Sequence, residues 1–356
     1  MVSIFMQHPL EGVQGFTTEA EVSVSPCHTE ISCRNEDGKP VDWFIMYKLP
    51  KYKIDDVGNG LEYMYLDSSN EDWQLSQFLV NTSQGALGST LKPLYTGGGI
   101  KSLRSAYLLY NDAPPLLNYT TKYGHAKGAL HFDQSQGFWL IHSIPHFPAF
   151  PERGYSWPPT GKNNGQTVFC VTYKYGQLLQ IAQQLLYYNP HVYNCSLPVV
   201  FRKDMASLAL LCEGSKLPWV SKRLQGLTSA KGESFLSFAK SKFYVDDIYT
   251  GWVAQILKTD LLTETWQHSY VLPSNCSLTN HVMNIKRIKL PGQIQFKSYF
   301  DHSKWCVSRM HKDHWTCLGD LNRENPQAWK SGGLVCSQNP VIYQAFRQAV
   351  AWYNGC

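Results

Sequence analysis

Gly124-His125-Ala126-Lys127-Gly128-Ala129-Leu130-His131-Phe132-Asp133 runs through Gln134-Ser135-Gln136 into Gly137-Phe138-Trp139-Leu140-Ile141-His142-Ser143-Ile144-Pro145. Gly128 to Phe132 and Phe138 to Ile144 read as two strands, and Gln134 to Gly137 is the short polar turn that joins them. Phe138-Trp139-Leu140-Ile141 is apolar at every position, which predicts a strand covered on both faces. In extended chain, residues two apart share a face, so the imidazole of His125 and the ammonium of Lys127 stand side by side. Registers that oppose His142 to Lys127 or Ala129 put it on that same face, and a one-residue slip turns it away. The same-face register is the expected one.

Working outward, Val41 to Tyr47, Leu61 to Leu66 and Ala106 to Tyr110 also read as strands. Helices are predicted at 175–188, 246–258 and 340–353. In the first, Leu178, Ile181, Leu185 and Tyr188 recur at three- and four-residue steps. In the last, Asn339 can cap and Pro340 suits the first helical position. Short apolar runs alternating with amphipathic stretches predict an α/β fold. A second His-x-Lys, His302-Ser303-Lys304, lies nearly half the chain from the first. That spacing suits two similar halves, each contributing one His and one Lys to a shared seam.

Two such couples facing each other suit a phosphodiester. One His attacks phosphorus, the other protonates the leaving oxygen, and the two Lys neutralise the phosphate oxygens without a metal. His311-Lys312-Asp313 lacks the His-x-Lys spacing and reads as a solvated loop. Pro145 between His142 and His146 argues against a helical metal pair.

The chain has 356 residues, 43% of them hydrophobic and 17% charged, with aromatics at 13%, which excludes a disordered chain. No run reaches the roughly 18 apolar residues of a membrane helix. Net charge is +5 with every His neutral, and protonating the 12 His would add further positive charge, favouring polyanions in acid. Ten Cys without a CxxC pair or zinc spacing favour disulfides over metal. Acceptor sequons at Asn81, Asn118, Asn194 and Asn275 point with them to the secretory pathway. Against that, the first 30 residues contain no apolar stretch of about 7–15 residues behind a basic start. They read as an irregular extension, and Cys27 within it has no obvious partner.

Gly124 to Gly128, Gly137 to Pro145 and Asp301-His302-Ser303-Lys304-Trp305-Cys306 together resemble the deoxyribonuclease II family. So do Pro40 to Phe44, Tyr107-Leu108-Leu109-Tyr110-Asn111-Asp112 and Gly319-Asp320-Leu321-Asn322-Arg323. The resemblance runs from about Ile31 to Cys356, and Leu262 to Gln267 and Pro158 to Gly161 look nearer the beta paralogue than the alpha. It implies a phospholipase D-like pseudo-dimer of two α/β/α sandwich halves within one chain, with halves at 31–190 and 191–356. It implies an acid endodeoxyribonuclease, lysosomal or secreted, without metal or other cofactor, acting through a phosphohistidine. The products implied end in 3′-phosphate and 5′-hydroxyl. The implied catalytic set is His125, Lys127, His302 and Lys304, with His142 as a further histidine and Asn322 in support. His125 is read as nucleophile and His302 as general acid, although the residues alone leave the reverse open. The superfamily expects an Asp five residues after each Lys; Asp133 follows Lys127 by six and Arg309 stands in the second place, which puts a role for Asp133 in doubt. The family further implies disulfides Cys33–Cys170, Cys276–Cys356 and Cys317–Cys336, while Cys195 and Cys212 are near enough to pair. Cys306 reads as a buried thiol. Two other readings use the same scaffold: a phospholipid or other phosphodiester hydrolase of the superfamily, and a non-catalytic secreted glycoprotein that binds DNA.

Overall fold

The computed structural model describes residues 30–51, 58–96, 102–214 and 219–356. Cys27 and the N-terminal extension up to residue 29 lie outside the described residues.

In chain order the main elements of the first part are β1 (Trp43–Lys48), β2 (Tyr63–Asp67), α1 (Gly85–Tyr95), β3 (Ser105–Asn111), β4 (Lys127–Asp133), β5 (Gln136–His142), β6 (Gln166–Lys174), α2 (Tyr175–Tyr188) and β7 (Val192–Ser196). The second part has β8 (Lys222–Thr228), β9 (Ser234–Lys240), a π turn (Tyr249–Val253) running into α3 (Ala254–Leu257), β10 (Leu261–Glu264), β11 (Val282–Leu290), β12 (Ile294–Lys297), β13 (Trp305–Ser308), β14 (Thr316–Gly319), β15 (Gly332–Ser337), α4 (Pro340–Ala349) and β16 (Val350–Tyr353).

These strands form two large sheets. The first runs β7-β3-β4-β5-β6-β1-β2, and the second β8-β9-β15-β14-β13-β10-β11-β12, with β16 on β11. Within them one pattern occurs twice. The order β3-β4-β5-β6-β1 matches β10-β13-β14-β15-β9, every neighbouring pair is antiparallel, and a helix follows β6 and β15 in the chain. Among the described pairs of strands in these two sheets, β10 with β11 is parallel. The fold is therefore mixed α/β with largely antiparallel sheets.

The two sheets share a core. Leu130, Trp139 and Ile141 of the first sheet and Trp305, Val307 and Val335 of the second belong to one buried cluster, with Ile181 of α2 and Phe346 of α4. Both helices therefore lie between the sheets. Gln184 on α2 is fully buried there and donates to the Ser237 carbonyl of β9 at 3.0 Å. Trp73, on the other side, donates to the Ala345 carbonyl of α4 at 3.1 Å. Separate outer clusters form under α1 and around Trp252 and Val253. Cys306 packs in the latter, where burial pushes its thiol up.

The 175–188 helix runs over the predicted residues, and β5 is buried at all positions. The 246–258 stretch is helical only from Tyr249, and begins as a π turn. The predicted 340–353 helix ends at Ala349 instead. Val350 to Tyr353 leave it to pair with β11, and the sheet edge outweighs the local helical pattern. The expected boundary at 190/191 falls just before β7, which still pairs with β3 of the first sheet.

Disulfides link Cys33–Cys170, Cys195–Cys212, Cys276–Cys356 and Cys317–Cys336. Asn81 and Asn118 are exposed, whereas Asn194 and Asn275 are half-buried.

Asp42 ties the parts together. Its buried carboxylate accepts from Ser229 Oγ at 2.5 Å and from the Lys231 N–H at 2.8 Å, both in the β8–β9 turn. Hydrogen bonds to a charged group are worth about 1.5–3 kcal/mol each. Asp42→Ala is expected to lower the unfolding free energy by about 2 kcal/mol in urea titration. An unchanged midpoint would show that this tie carries no stability.

Candidate active site

The two His-x-Lys segments enter strands at equivalent places. Lys127 opens β4, and Lys304 directly precedes β13. Each histidine is pinned by its backbone to the other part of the chain. The His125 N–H donates to the Ser331 carbonyl at 2.9 Å, and the His302 N–H to the Gly165 carbonyl at 2.8 Å. Ser331 immediately precedes β15, and Gly165 immediately precedes β6, the equivalent strand. The contact is thus reciprocal, as two-fold-related surfaces make it. Glycine serves both approaches: a Cβ on Gly124 would lie 2.0 Å from the Tyr188 carbonyl oxygen, and one on Gly165 would lie 2.5 Å from Asp301 Oδ1.

Asp112, quoted above without a role, organises the first couple. His125 Nδ1 lies 2.8 Å from Asp112 Oδ2, and the Lys127 ammonium pairs with Oδ1. Burial alone would raise the Asp112 carboxyl, but Lys127 and His125 hold it well below the usual carboxylate range. An ionised carboxylate only accepts, so Nδ1 bears the proton and Nε2 keeps its lone pair. That Nε2 is buried without a hydrogen-bond partner among the described residues. Burial, then the Lys127 charge, brings the His125 imidazole down to about 4 against the pull of Asp112.

His142 closes β5. Gly128 pairs with Ile141, so the next step of the register sets Lys127 opposite His142. His142 Nδ1 accepts from the Ile144 N–H at 3.1 Å, and its Nε2 is buried with no hydrogen-bond partner among the described residues. Burial and then Lys127 lower this imidazole to about 3.

The second couple has different support. His302 Nδ1 faces the Ser143 carbonyl at 2.9 Å and Gln166 Oε1 at 3.3 Å, and Ser143 Oγ donates to the same Oε1 at 2.5 Å. A carbonyl only accepts, which again leaves Nε2 for the site. Burial lowers the His302 imidazole well below its usual range, followed by the charges of Lys304, Lys127 and His125. The two couples therefore lie in one electrostatic field. Lys304 donates to the His302 carbonyl, and burial followed by Lys127 brings its ammonium down to about 7.

The register also identifies what stands where Asp112 does. Asn111 pairs with Lys127, and Glu264 pairs with Trp305, so Thr265 opposes Lys304 and Trp266 matches Asp112. Trp266 presents an edge-to-face contact to His302 at 4.8 Å between centroids. Asn322 Oδ1 accepts from the Trp266 backbone N–H at 3.2 Å, so Asn322 holds the backbone that carries that ring. Asp320 Oδ1 accepts from the Lys127 N–H at 3.4 Å, and burial pushes this carboxyl up to about 8 despite Lys127. Asp301 receives Tyr47 Oη and, at 3.0 Å, the Ser303 N–H, which fixes the loop carrying His302.

Other candidates lie elsewhere. Asp133 Oδ1 accepts from the Ser135 and Gln136 N–H groups at 2.7 and 3.0 Å, closing the turn at the far end of β4. His146 Nδ1 contacts the Pro114 carbonyl at 3.0 Å. His311 and Lys312 are exposed on a 3-10 turn. Cys276, His281 and Cys356 lie close enough to hold an ion, but both sulfurs are in one disulfide.

The family model for Deoxyribonuclease II matches residues 32–356. The chain belongs to the deoxyribonuclease II family. It is 52% identical over 333 residues to Deoxyribonuclease-2-beta of Homo sapiens, covering 92% of each chain. Against Deoxyribonuclease-2-alpha of Sus scrofa it is 40% identical over 338 residues, covering 92% of this chain and 91% of the other. Plancitoxin-1 of Acanthaster planci is 37% identical over 335 residues, with 92% of each covered. The identity is higher to the beta form than to the alpha. As a member of the deoxyribonuclease II family the chain is a hydrolase and endonuclease with DNA as its substrate. No helix among the described residues is long and apolar enough to cross a membrane.

Asp112→Asn keeps the shape but loses the charge that holds the His125 tautomer. Loss of an equivalent orienting carboxylate costs up to about 10⁴-fold in turnover. We expect kcat on DNA to fall by about a thousandfold, with KM changed less than about threefold. Turnover within tenfold of wild type would remove Asp112 from the machinery.

Proposed function

We propose that this protein hydrolyses DNA phosphodiesters through a phosphohistidine, with the charge and proton traffic supplied by its own side chains. The observation that supports this most strongly is the reciprocal pinning of the two couples across the seam. The Lys127 and Lys304 ammoniums take the non-bridging oxygens of one phosphate. His125 Nε2, its lone pair set by Asp112 on the opposite nitrogen, attacks phosphorus. The P–O5′ bond breaks as His302 delivers its Nε2 proton to the leaving oxygen, giving a 5′-hydroxyl. Water then attacks the phosphohistidine with His302 as base, the P–N bond breaks, and a 3′-phosphate leaves. The two ammoniums, the two imidazoles and the Asp112 carboxylate carry every charge and proton in this scheme, so no step is routed through a metal. The carboxylate on His125 favours it as nucleophile over His302. His142, opposite Lys127, lines the same phosphate site, and Asn322 steadies Trp266 against His302.

The reading extends to the whole molecule. The repeated five-strand order supports a phospholipase D-like pseudo-dimer in which each half supplies one couple. Pairing of β7 with β3 favours a boundary after β7 over one at 190/191. Four disulfides and the sequons support a secreted or lysosomal protein, with glycans at Asn81 and Asn118 first, since those two side chains are exposed.

Acid dependence follows from the sign of the shifts. Burial and the lysines lower both catalytic imidazoles, so at neutral pH neither is protonated in the empty site. The acid form of His302 grows as pH falls, and a bound phosphodiester anion favours it further. We expect kcat/KM to be greatest near about pH 5 and to decline toward neutrality. A flat profile from about pH 5 to 8 would contradict it.

Plasmid nicking at acid pH with excess chelator, followed by end-group analysis, tests the chemistry. Wild type is expected to cut unimpaired and to leave 3′-phosphate ends. His125→Ala and His302→Ala are each expected to lose at least about 10⁴-fold. Equal cutting by all three proteins, or complete loss on chelation, overturns the scheme.

A further inference from the structure

Beside the first couple lies a cavity of about 490 Å³, a volume in the range of small-ligand sites. Its wall includes Ser331, whose carbonyl holds the His125 N–H, so the cavity adjoins the nucleophile's loop. Tyr123, two residues before His125, also lines it and stacks flat on His191, with centroids 4.4 Å apart. His191 lies in turn within the field of Asp112.

The chemistry of the lining is selective. Trp219 stacks on Phe243 with centroids 4.4 Å apart, yet Trp219 remains 77% exposed, so one indole face is covered and the other is open to solvent. Phe243 is itself 43% exposed. Adjoining exposed aromatics, unlike single scattered ones, mark contact surfaces. Lys122 and Lys242 stand at the same wall, the latter with its ammonium 5.4 Å from the Phe243 ring, and among the described residues no carboxylate belongs to the lining. The nearby Glu213 is already paired with Arg202 at 2.6 Å. Open aromatic faces interleaved with lysines are how single-stranded nucleic acid is held: bases stack on rings and cations follow the phosphates.

We propose that this cavity is a subsite for one unpaired nucleotide of the DNA strand flanking the scissile phosphate. Its base stacks on the open face of Trp219, and Lys242 and Lys122 take the adjoining phosphates. Duplex DNA would present such a nucleotide only after local fraying, so occupancy favours single-stranded or unstacked stretches. The inference rests on the deoxyribonuclease reading above but assigns a site outside the His-x-Lys couples.

Two measurements test it. The first is binding of a single-stranded oligonucleotide carrying 2-aminopurine, followed by quenching of that base on the His125→Ala background. Trp219→Ala and Lys242→Ala are each expected to raise Kd by about tenfold, and Trp219→Phe to recover most of the loss, since stacking is worth about 1–3 kcal/mol per base. The second compares kcat/KM of Trp219→Ala on the oligonucleotide with that on a chromogenic mononucleotide diester too short to reach the cavity. The expected fall is about tenfold on the first and under about twofold on the second. Unchanged oligonucleotide affinity overturns the proposal. Equal losses on both substrates also overturn it, because the effect would then sit in the active site. Binding of a mannose oligosaccharide that weakens in Trp219→Ala, with oligonucleotide affinity unmoved, assigns the platform to sugar instead. Failure of the underlying enzymatic reading shows differently, as wild-type protein that binds the oligonucleotide and cuts neither substrate.

Discussion

Two backbone hydrogen bonds, each running from a histidine N–H on one side of the seam to a carbonyl on the other, set the distance on which the site depends. His125 is held by Ser331 and His302 by Gly165, both directly ahead of equivalent strands. Side chains alone could not fix two imidazoles from remote parts of the chain, because each has free rotamers. Backbone donors place the two segments, and the Nδ1 contacts to Asp112 and to the Ser143 carbonyl hold the rings, before any substrate arrives. The sheets behind them share one core through α2 and α4, so neither couple can move without disturbing packed side chains from both. Preorganisation of this kind is where electrostatic catalysis gains its rate.

The duplicated frame then becomes asymmetric at the position that follows the strand facing each lysine. Asp112 and Trp266 occupy matching places after β3 and β10, one a carboxylate and the other an indole. On the first side the carboxylate neutralises Lys127 and orients His125. On the second the Trp266 indole meets His302, a carbonyl takes its Nδ1, and Lys304 donates to the His302 carbonyl. In the proposed scheme the first imidazole serves as the lone-pair donor and the second as the proton carrier. The pair still titrates as a coupled unit, and its apparent values belong to both.

Much of this was legible in the residues. The hairpin that carries His125, Lys127 and His142 follows from alternation, a polar turn and an all-apolar strand, and its register sets Lys127 opposite His142. Asp112 gave no such signal. It lies at the end of β3 and meets His125 only because β3 and β4 pair, which no spacing in the chain announces. The same holds for Ser143 and Gln166, whose contacts with His302 cross the seam. At the C-terminus, helical periodicity ran on through Tyr353, but Val350 to Tyr353 had a sheet edge available, and pairing with β11 prevailed. Local pattern thus specified elements, and long-range pairing specified the site.

A crystal structure with tungstate, a tetrahedral stand-in for phosphate, decides whether the two couples share one phosphate. One tungsten is expected between the two imidazoles, with Nε2 of His125 and Nε2 of His302 on opposite sides and both ammoniums on its oxygens. An oxyanion bound by one couple alone, with the other imidazole beyond reach of the same centre, would contradict it.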